Sequence, residues 1–380
     1  MIYIIIFLLI FFFLFVNKIK KNTEVEYLLL LIVFVSVAGF RYRVGGDSLA
    51  YENYFIDLPK FNELSDFDFT NAPYEFSWYL FNAISKIIDD SFVTFQILHA
   101  LIINTVLFWF IRKYSQNKWL SLLLYFFINY LYFNMEILRE SLAIATFLLA
   151  VPSLLQKKWI IYILLCLIAC TFHSSAYITI VFPFLLRQWK GWQTLLIYLT
   201  ITLVFAFFSP GEIFSSLNLG VNLEKKANLY ISIQVTLLGF LSSLLKLLPF
   251  FWIYYLRKKN NISHYFDKLI YIYLMLGFMA CFIGGFYRFQ NYLSIVALIY
   301  VADSIILFQR NRSRNQYKII GFQMMIYLMF ANQILYFGRS TSEYEPGTHF
   351  YNRYYPYHTI ADPKIDNKRE RLFFNSMEKQ

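Results

Sequence analysis

The sequence predicts an all-helical, polytopic integral membrane protein with about 10–14 transmembrane helices, and three observations lead to this prediction. First, 59% of the 380 residues are hydrophobic and only 15% are charged, a balance outside the range of soluble globular domains. Second, the apolar residues form runs that recur along the whole chain. Third, short clusters of Lys and Arg separate alternate runs, as in the cytoplasmic loops of membrane proteins.

The apolar runs that could span a bilayer lie at 1–16, 25–40, 92–111, 119–134, 141–155, 192–208, 233–256, 269–286, 289–308 and 318–337, with a further pair at 159–172 and 174–186. The first run has no basic region before it and no small-residue cleavage site after it, so it is interpreted as a spanning helix and not as a cleaved signal peptide. Several runs are shorter than the roughly 20 residues of a full span. The segment 159–186 is too short for two full spans, and two short helices are predicted to meet at 171–175.

The basic clusters set the predicted orientation. They lie at 18–21, 112–118, 157–158, 187–190, 257–268 and 310–318. By the positive-inside rule these loops are cytoplasmic, which places the loops around 41–91, 135–140, 173, 209–232 and 287 outside. We therefore expect a multi-pass membrane protein whose polar residues gather at the outer face. Residues 1–337 are expected to form one membrane domain with an interfacial helix at about 75–88, and 338–380 a polar, partly disordered tail.

Other functional classes find no support in the composition. The net charge of +11 resides in loops between apolar runs, so nucleic acid is not an expected partner. The three cysteines, Cys166, Cys170 and Cys281, fall in apolar segments and indicate neither disulfides nor a cysteine metal site. Phosphate-loop, dinucleotide, zinc-protease and serine-hydrolase motifs are absent from the sequence.

Few charged residues interrupt the outer ends of the apolar runs, and a charge at membrane depth costs roughly 2.5–3.5 kcal/mol. The candidates are Arg41, Arg43, Asp47 and Tyr51 in the first outer loop; Glu136, Arg139 and Glu140; His173; and Arg288 with Tyr292.

The loop at 39–51 has two interpretations. Arg41 and Arg43 could clamp a diphosphate, because planar guanidinium groups bind such anions bidentately. Gly45-Gly46 would let the backbone approach a ligand, and Asp47 could act as a base, orient a sugar hydroxyl or hold a divalent cation. Alternatively, the arginines contact lipid headgroups and Asp47 caps the next helix.

The other candidates carry alternatives of the same kind. Glu136 and Arg139 could pair with each other, or Arg139 could face a substrate with Glu140 as a second carboxylate. His173 could accept a proton or bind a sugar hydroxyl, or it could cap a broken helix. Arg288, beside a glycine pair and one turn before Tyr292, could be an anion site or an interfacial arginine.

Four short motifs resemble the EpsG-like membrane proteins of bacterial exopolysaccharide and capsule clusters, which are similar to Wzy-type polysaccharide polymerases. They are Phe40-Arg41-Tyr42-Arg43-Val44-Gly45-Gly46-Asp47 with Tyr51, Leu138-Arg139-Glu140-Ser141-Leu142-Ala143, Phe172-His173-Ser174-Ser175-Ala176, and Tyr287-Arg288-Phe289 with Tyr292. The family often has Thr and Gln where this chain has Gly46 and Glu140.

The resemblance implies a membrane glycosyltransferase with an outer-face cavity, like the glycosyltransferases of the GT-C type. Such an enzyme transfers a glycan from a polyprenyl diphosphate carrier to another lipid-linked repeat unit, and other polysaccharide-assembly proteins are possible partners. Arg139 and Arg288, with Arg41 or Arg43, would bind the diphosphate, and Tyr51, Glu136 and Tyr292 would line the site. Asp47 is the first choice for the base, before Glu140 and His173. No cofactor is required, although a divalent cation could bind at Asp47. The alternatives are a flippase for lipid-linked oligosaccharide, a membrane acyltransferase or a structural assembly subunit.

Overall fold

The protein is described by a computed structural model that covers residues 2–16, 23–69, 72–186, 237–283, 285–310, 323, 326–331 and 333–378. Within these ranges the chain is helical and contains no β-strand beyond isolated bridges. The prediction of an all-helical polytopic membrane protein is confirmed. The predicted run 192–208 and the outer loop 209–232 lie outside the described residues.

The main α-helices are, in chain order, α1 (Ile2–Val16), α2 (Glu24–Gly39), α3 (Ser48–Asp57), α4 (Phe76–Ile88), α5 (Phe92–Tyr114), α6 (Lys118–Tyr125), α7 (Leu131–Met135), α8 (Leu138–Leu155), α9 (Trp159–Phe172), α10 (Tyr177–Leu185), α11 (Leu237–Lys259), α12 (Asp267–Ala280), α13 (Phe286–Asn291), α14 (Ser294–Arg310) and α15 (Asn367–Glu378). Shorter 3₁₀ or π turns lie at Phe61–Glu63, Phe126–Tyr130, Ser174–Ala176, Gln333–Phe337 and Phe350–Arg353.

Three of these helices, α5, α8 and α11, are long and apolar enough to cross a membrane. Shorter apolar helices occur at Ile2–Phe15, Trp159–Phe172, Ser174–Leu185, Ser294–Phe308 and Ile326–Phe337. The short helices match the short apolar runs of the sequence. The predicted break at 171–175 is confirmed, since α9 ends at Phe172 and α10 begins at Tyr177. The predicted helix at about 75–88 is also confirmed, as α4.

The chain divides into two compact units, which are described separately. Unit one comprises Met1–Ala176 and Leu298–Gln380, and unit two comprises Tyr177–Ala297. In unit one α8 packs on α9, and α5 packs on α2 and α8. In unit two α12 packs on α11 and α13. There Gly277 lets the Gln290 and Leu247 side chains come so close that a Cβ would collide with both.

Helices α2 and α5 run antiparallel and define the two ends of unit one. Glu24, at the start of α2, pairs with Arg112 in the last turn of α5 and with Lys118 at the start of α6, with N–O distances of 3.0 and 2.9 Å. At the other end, Gln96 near the start of α5 donates to the backbone carbonyl of Arg41, just beyond α2, at 3.3 Å. At 1.5 Å per residue these two ends are about 25 Å apart.

A polar network lies inside unit one, where apolar contacts would otherwise be expected. Asn104 of α5 donates to Asn134 of α7 at 2.7 Å, and Asn134 donates to the hydroxyl of Tyr125 at 3.0 Å. Polar side chains in a membrane protein are satisfied by one another in this way. The network ties α5 to the segment that ends at Met135, where the chain breaks before α8 begins.

Candidate active site

The loop after α2 is organised by Arg41, whose side chain is fully buried. Its Nε donates to the carbonyl oxygen of Val44 at 3.0 Å, and its Nη1 donates to the carbonyl oxygen of Ala38. Carbonyl groups at the end of a helix lack partners within the helix, and Arg41 satisfies one of them. The Arg41 guanidinium therefore folds the loop and is not exposed to a ligand.

Two glycines bring this loop against the break between α7 and α8. Gly45 has a φ of +130°, and a Cβ there would lie 2.5 Å from the carbonyl oxygen of Met135. A Cβ on Gly46 would lie 2.6 Å from Cγ of Glu136. Because only glycine leaves this space open, Gly45-Gly46 places the start of α3 next to Glu136.

The close approach creates a pair of neighbouring carboxyl groups, Asp47 and Glu136. Glu136 is buried, and its Oε2 accepts a hydrogen bond from the hydroxyl of Tyr336. Its buried Oε1 has no hydrogen-bond partner among the described residues. Burial, and after it the charge of Asp47, raise the pKa of Glu136 to about 8, while Tyr336 and Arg353 oppose the increase. Glu136 is therefore largely protonated at neutral pH.

Asp47 is exposed and occupies the N-cap position of α3, but its side chain makes no capping hydrogen bond. Asp47 thus occupies the cap position that the alternative assigned to it, although its side chain does not bond to the helix. An exposed carboxylate beside a buried, largely neutral carboxyl group can accept a proton from a hydroxyl.

Arg43 forms ion pairs on two sides. Its Nε and Nη2 donate to the two carboxylate oxygens of Glu370 in α15 at 2.7 and 2.8 Å, and its Nη1 donates to Glu52 of α3 at 2.9 Å. The backbone of Arg43 is left-handed, with a φ of +50°. Arg43 thus joins the loop to the C-terminal helix, with three of its five donors engaged by carboxylates.

The C-terminal segment packs directly on the same loop, a contact that the sequence did not indicate. Three backbone hydrogen bonds join the two: Tyr42 N–H to His358 O (2.9 Å), Gly45 N–H to Arg353 O (2.9 Å) and Ile360 N–H to Phe40 O (3.0 Å). Arg369 of α15 adds a bond from Nη1 to the carbonyl oxygen of Arg43 at 2.9 Å. Residues 353–369 therefore pack against the loop that carries Asp47 and support it.

Arg139 lies in the first turn of α8 and is held on three sides. Its Nη1 donates to Oε2 of Glu75 at 2.9 Å, and its guanidinium lies 4.2 Å from the ring centre of Tyr74. It also interacts with the side chain of Tyr51, whose ring packs against Trp78 at 5.2 Å. The alternative of a Glu136–Arg139 pair is wrong, because Glu136 bonds to Tyr336 and Arg139 bonds to Glu75.

His173 is the C-cap residue that follows α9 and is buried, with its Nδ1 directed at the following turn. The backbone N–H of Ser175 donates to Nδ1 at 3.1 Å, and the Ser175 hydroxyl lies 2.7 Å from the same atom. Since Nδ1 accepts, the proton of the neutral ring lies on Nε2. This geometry agrees with the interpretation of His173 as the cap of a broken helix.

Sequence reasoning missed three residues near these candidates: Glu75, Tyr336 and His99. Nε2 of His99 lies 3.0 Å from the carbonyl oxygen of Leu138 and 3.0 Å from Oγ of Ser141, so it holds the first turn of α8. Glu140, in that same turn, is buried. The sequence feature that pointed to Glu75 was its place at the start of the predicted helix at about 75–88. Nothing in the sequence linked Tyr336 to Glu136.

The last two candidates, Arg288 and Tyr292, belong to unit two. Arg288 lies in α13 with its guanidinium 5.9 Å from the ring centre of Tyr287, and Tyr292 follows α13 and is fully buried.

Unit one thus brings together Asp47, Glu136, Arg139, Glu140 and His173 at one end, with Arg41 and Arg43 supporting the loop. Among the described residues, no group of three or more His, Cys, Asp or Glu side chains is arranged to hold a metal ion. The arrangement offers a cation for an anionic leaving group and carboxyl groups for proton transfer.

The comparisons with known proteins agree with the motifs. A family profile described as EpsG family matches residues 24–359, which include the loop, the break before α8, the His173 turn and two of the three backbone hydrogen bonds that join the C-terminal segment to the loop. The comparison with curated proteins and the comparison with solved structures return no match. Because the family match covers most of the chain, this protein belongs to the EpsG family and is a membrane protein of polysaccharide biosynthesis.

Proposed function

We propose that this member of the EpsG family is a polysaccharide polymerase. It joins polyprenyl-diphosphate-linked oligosaccharide repeat units at the outer face of the bacterial cytoplasmic membrane. The observation that supports this proposal most is the break between α7 and α8, which holds Glu136 against Gly46 and begins the helix that carries Arg139. One interruption of the helical scaffold thus brings carboxyl groups and an arginine to the same end of unit one.

The proposed reaction is a glycosyl transfer. An acceptor hydroxyl oxygen forms a bond to the anomeric carbon of the donor sugar, and the bond from that carbon to the diphosphate oxygen breaks. The electron pair of the broken bond leaves with the lipid diphosphate, and the hydroxyl proton passes to a carboxylate. Arg139 stabilises the negative charge of the departing diphosphate.

Asp47 remains the first choice for the base, because it is the exposed member of the carboxyl pair. Glu140 is buried and Nδ1 of His173 is occupied by Ser175, which supports their lower rank. We assign Arg41 and Arg43 to holding the loop, since Nε and Nη1 of Arg41 donate to backbone carbonyls and Arg43 donates to two carboxylates of the protein. The scheme uses no cofactor, and Asp47 is the residue at which a divalent cation would bind.

The outer-face assignment is supported by the two ends of α5. The loop with Asp47 lies at the Gln96 end, whereas Arg112, Lys113 and Lys118 lie at the other end. By the positive-inside rule the basic end is cytoplasmic.

Reconstitution tests the proposal. The purified protein is placed in vesicles with lipid-linked repeat units, and glycan length is measured on a gel. The wild type is expected to give a ladder of longer glycans, and Asp47→Asn and Arg139→Ala are each expected to lower the rate by about 100-fold. Arg112→Ala, at the opposite end of α5, is the control and should retain the wild-type rate. Transport of the lipid-linked units without elongation, or normal elongation by both site variants, would contradict the proposal.

A further inference from the structure

Glu75 joins three elements at the end of unit one that carries the candidate site. Its Oε2 accepts from Nη1 of Arg139 in α8 at 2.9 Å, and its Oε1 accepts from the backbone N–H of Ser174, after α9, at 3.0 Å. A second bond, 2.7 Å between the hydroxyls of Ser77 and Thr171, joins the start of α4 to the end of α9. The carboxylate therefore fixes the position of Arg139 relative to the turn that follows His173.

The surroundings of Arg139 show which donors of its guanidinium are already engaged by the protein. The Tyr74 ring lies over the guanidinium at 4.2 Å, Glu75 accepts from Nη1, and the Tyr51 side chain also interacts with Arg139. The buried Nε has no hydrogen-bond partner among the described residues. The side chains of Arg139 and Glu75 are only 15% and 14% exposed. Such a pair lies largely out of water, where each charge strongly affects the binding of a further ion.

We propose that Glu75 is a positioning residue that holds Arg139 against the His173 turn and moderates the affinity of Arg139 for the donor diphosphate. This inference rests on the proposed function. Glu75 neutralises Arg139 before the donor binds, and its negative charge afterwards opposes retention of the lipid diphosphate. The affinity of Arg139 is thereby kept low enough for the lipid diphosphate product to leave. Tighter binding of the diphosphate that is equal in the bound state and the transition state would lower KM without raising kcat.

The experiment compares Glu75→Gln with a matched control, Glu63→Gln. Glu63 lies in the same outer loop, and its Oε2 accepts from the backbone N–H of Lys60 at 2.8 Å, so E63Q removes the same formal charge away from Arg139. The probe is inorganic pyrophosphate, titrated calorimetrically into the purified full-length protein in lipid nanodiscs. E75Q is expected to bind pyrophosphate about tenfold more tightly than the wild type, and E63Q to bind like the wild type. Equal binding by E75Q and the wild type would overturn the inference.

Kinetics supply a readout that a purely structural role would not give. In the vesicle assay, E75Q is expected to lower both the KM for the lipid-linked donor and kcat, because tighter binding slows release of the lipid diphosphate. Glu75→Asp keeps the charge and should restore values near the wild type. A loss of kcat in E75Q with KM unchanged or raised would contradict the role in affinity.

If E75Q alone is too unstable to purify, the double variant Glu75→Gln/Arg139→Gln is used instead, because it leaves neither charge unpaired. It is expected to bind pyrophosphate more tightly than Arg139→Gln alone, which retains an uncompensated Glu75 charge. If the two variants bind pyrophosphate equally, the inference is contradicted.

The polymerase proposal and the inference about Glu75 can fail separately. Tighter binding by E75Q without polymerisation by the wild type overturns the polymerase assignment alone, and polymerisation with unchanged binding overturns the inference alone.

Discussion

At the scale of single residues, Glu136 shows what folding does to a carboxyl group in this protein. The group is taken out of water, receives one hydrogen bond from Tyr336 and lies beside Asp47. A buried carboxylate is costly unless its charge is compensated, so the proton is retained. The positive charge of Arg353 lowers the pKa of Glu136, but its influence is too small to reverse the shift.

This shift makes the stability of the protein depend on pH. An ordinary glutamate loses its proton near pH 4.5, whereas Glu136 in the folded protein keeps it to about pH 8. Between these values the folded state binds more protons than the unfolded state, so stability falls as pH rises and levels off above about pH 8.

Glu136→Gln should remove this part of the pH dependence, because the amide does not titrate. We expect the variant to gain thermal stability relative to the wild type as the buffer changes from about pH 5 to about pH 8.5, measured as the melting midpoint in detergent. Glu63→Gln, on the exposed surface, is the control and should follow the wild type. Parallel curves for E136Q and the wild type would refute the shifted proton equilibrium.

At the scale of elements, the contact between the loop before α3 and the break before α8 depends on the absence of a side chain. Gly46 approaches Glu136 so closely that even a methyl group would overlap Cγ at 2.6 Å. The Glu136 side chain has little freedom to move away, because it is buried and bonded to Tyr336. The relative position of α3 and α8 is thus set by packing as well as by hydrogen bonds.

Gly46→Ala is therefore expected to destabilise the protein by about 1–3 kcal/mol, the usual cost of overpacking, and to lower polymerisation by displacing Asp47. The second variant, Gly46→Ala with Glu136→Ala, removes the atom that the new methyl group would meet. It should recover part of the lost thermal stability. If the double variant shows the sum of the two single losses, the two positions are not coupled and the described contact is wrong.

At the scale of the whole molecule, much of the fold was predictable from sequence and most partners of the site were not. Runs of apolar residues and a polar interruption at 171–175 are local features, so they predicted the helical class and the end of α9 at Phe172. Ion pairs depend on where distant elements meet. Arg43 pairs with Glu370, 327 positions away, and no periodicity links the two. The sequence placed Arg139 beside Glu136 in the chain, but the helix break turned them towards different partners.

The orientation of unit one in the membrane can be tested at two exposed positions. Glu63 lies in the loop between α3 and α4, and Arg112 lies near the basic end of α5. Single cysteines at these positions are treated in intact cells with a maleimide that does not cross membranes. The native Cys166, Cys170 and Cys281 are buried. We expect labelling of Glu63→Cys in intact cells and labelling of Arg112→Cys only after permeabilisation. The reverse pattern would place the site at the cytoplasmic face.

The contact between the first loop and residues 353–360 has a consequence for synthesis of the protein. Tyr42 and Gly45 leave the ribosome early, but their backbone partners, His358 and Arg353, are made more than 300 residues later. At 5–20 residues per second, about 15–60 s pass between the two events. During that interval α2 and α5 can already be inserted in the membrane, while the loop that carries Asp47 lacks its contacts with the C-terminal segment. Assembly of the site is therefore a late step of biogenesis, and a chain that stops short of residue 353 lacks the contacts that complete it.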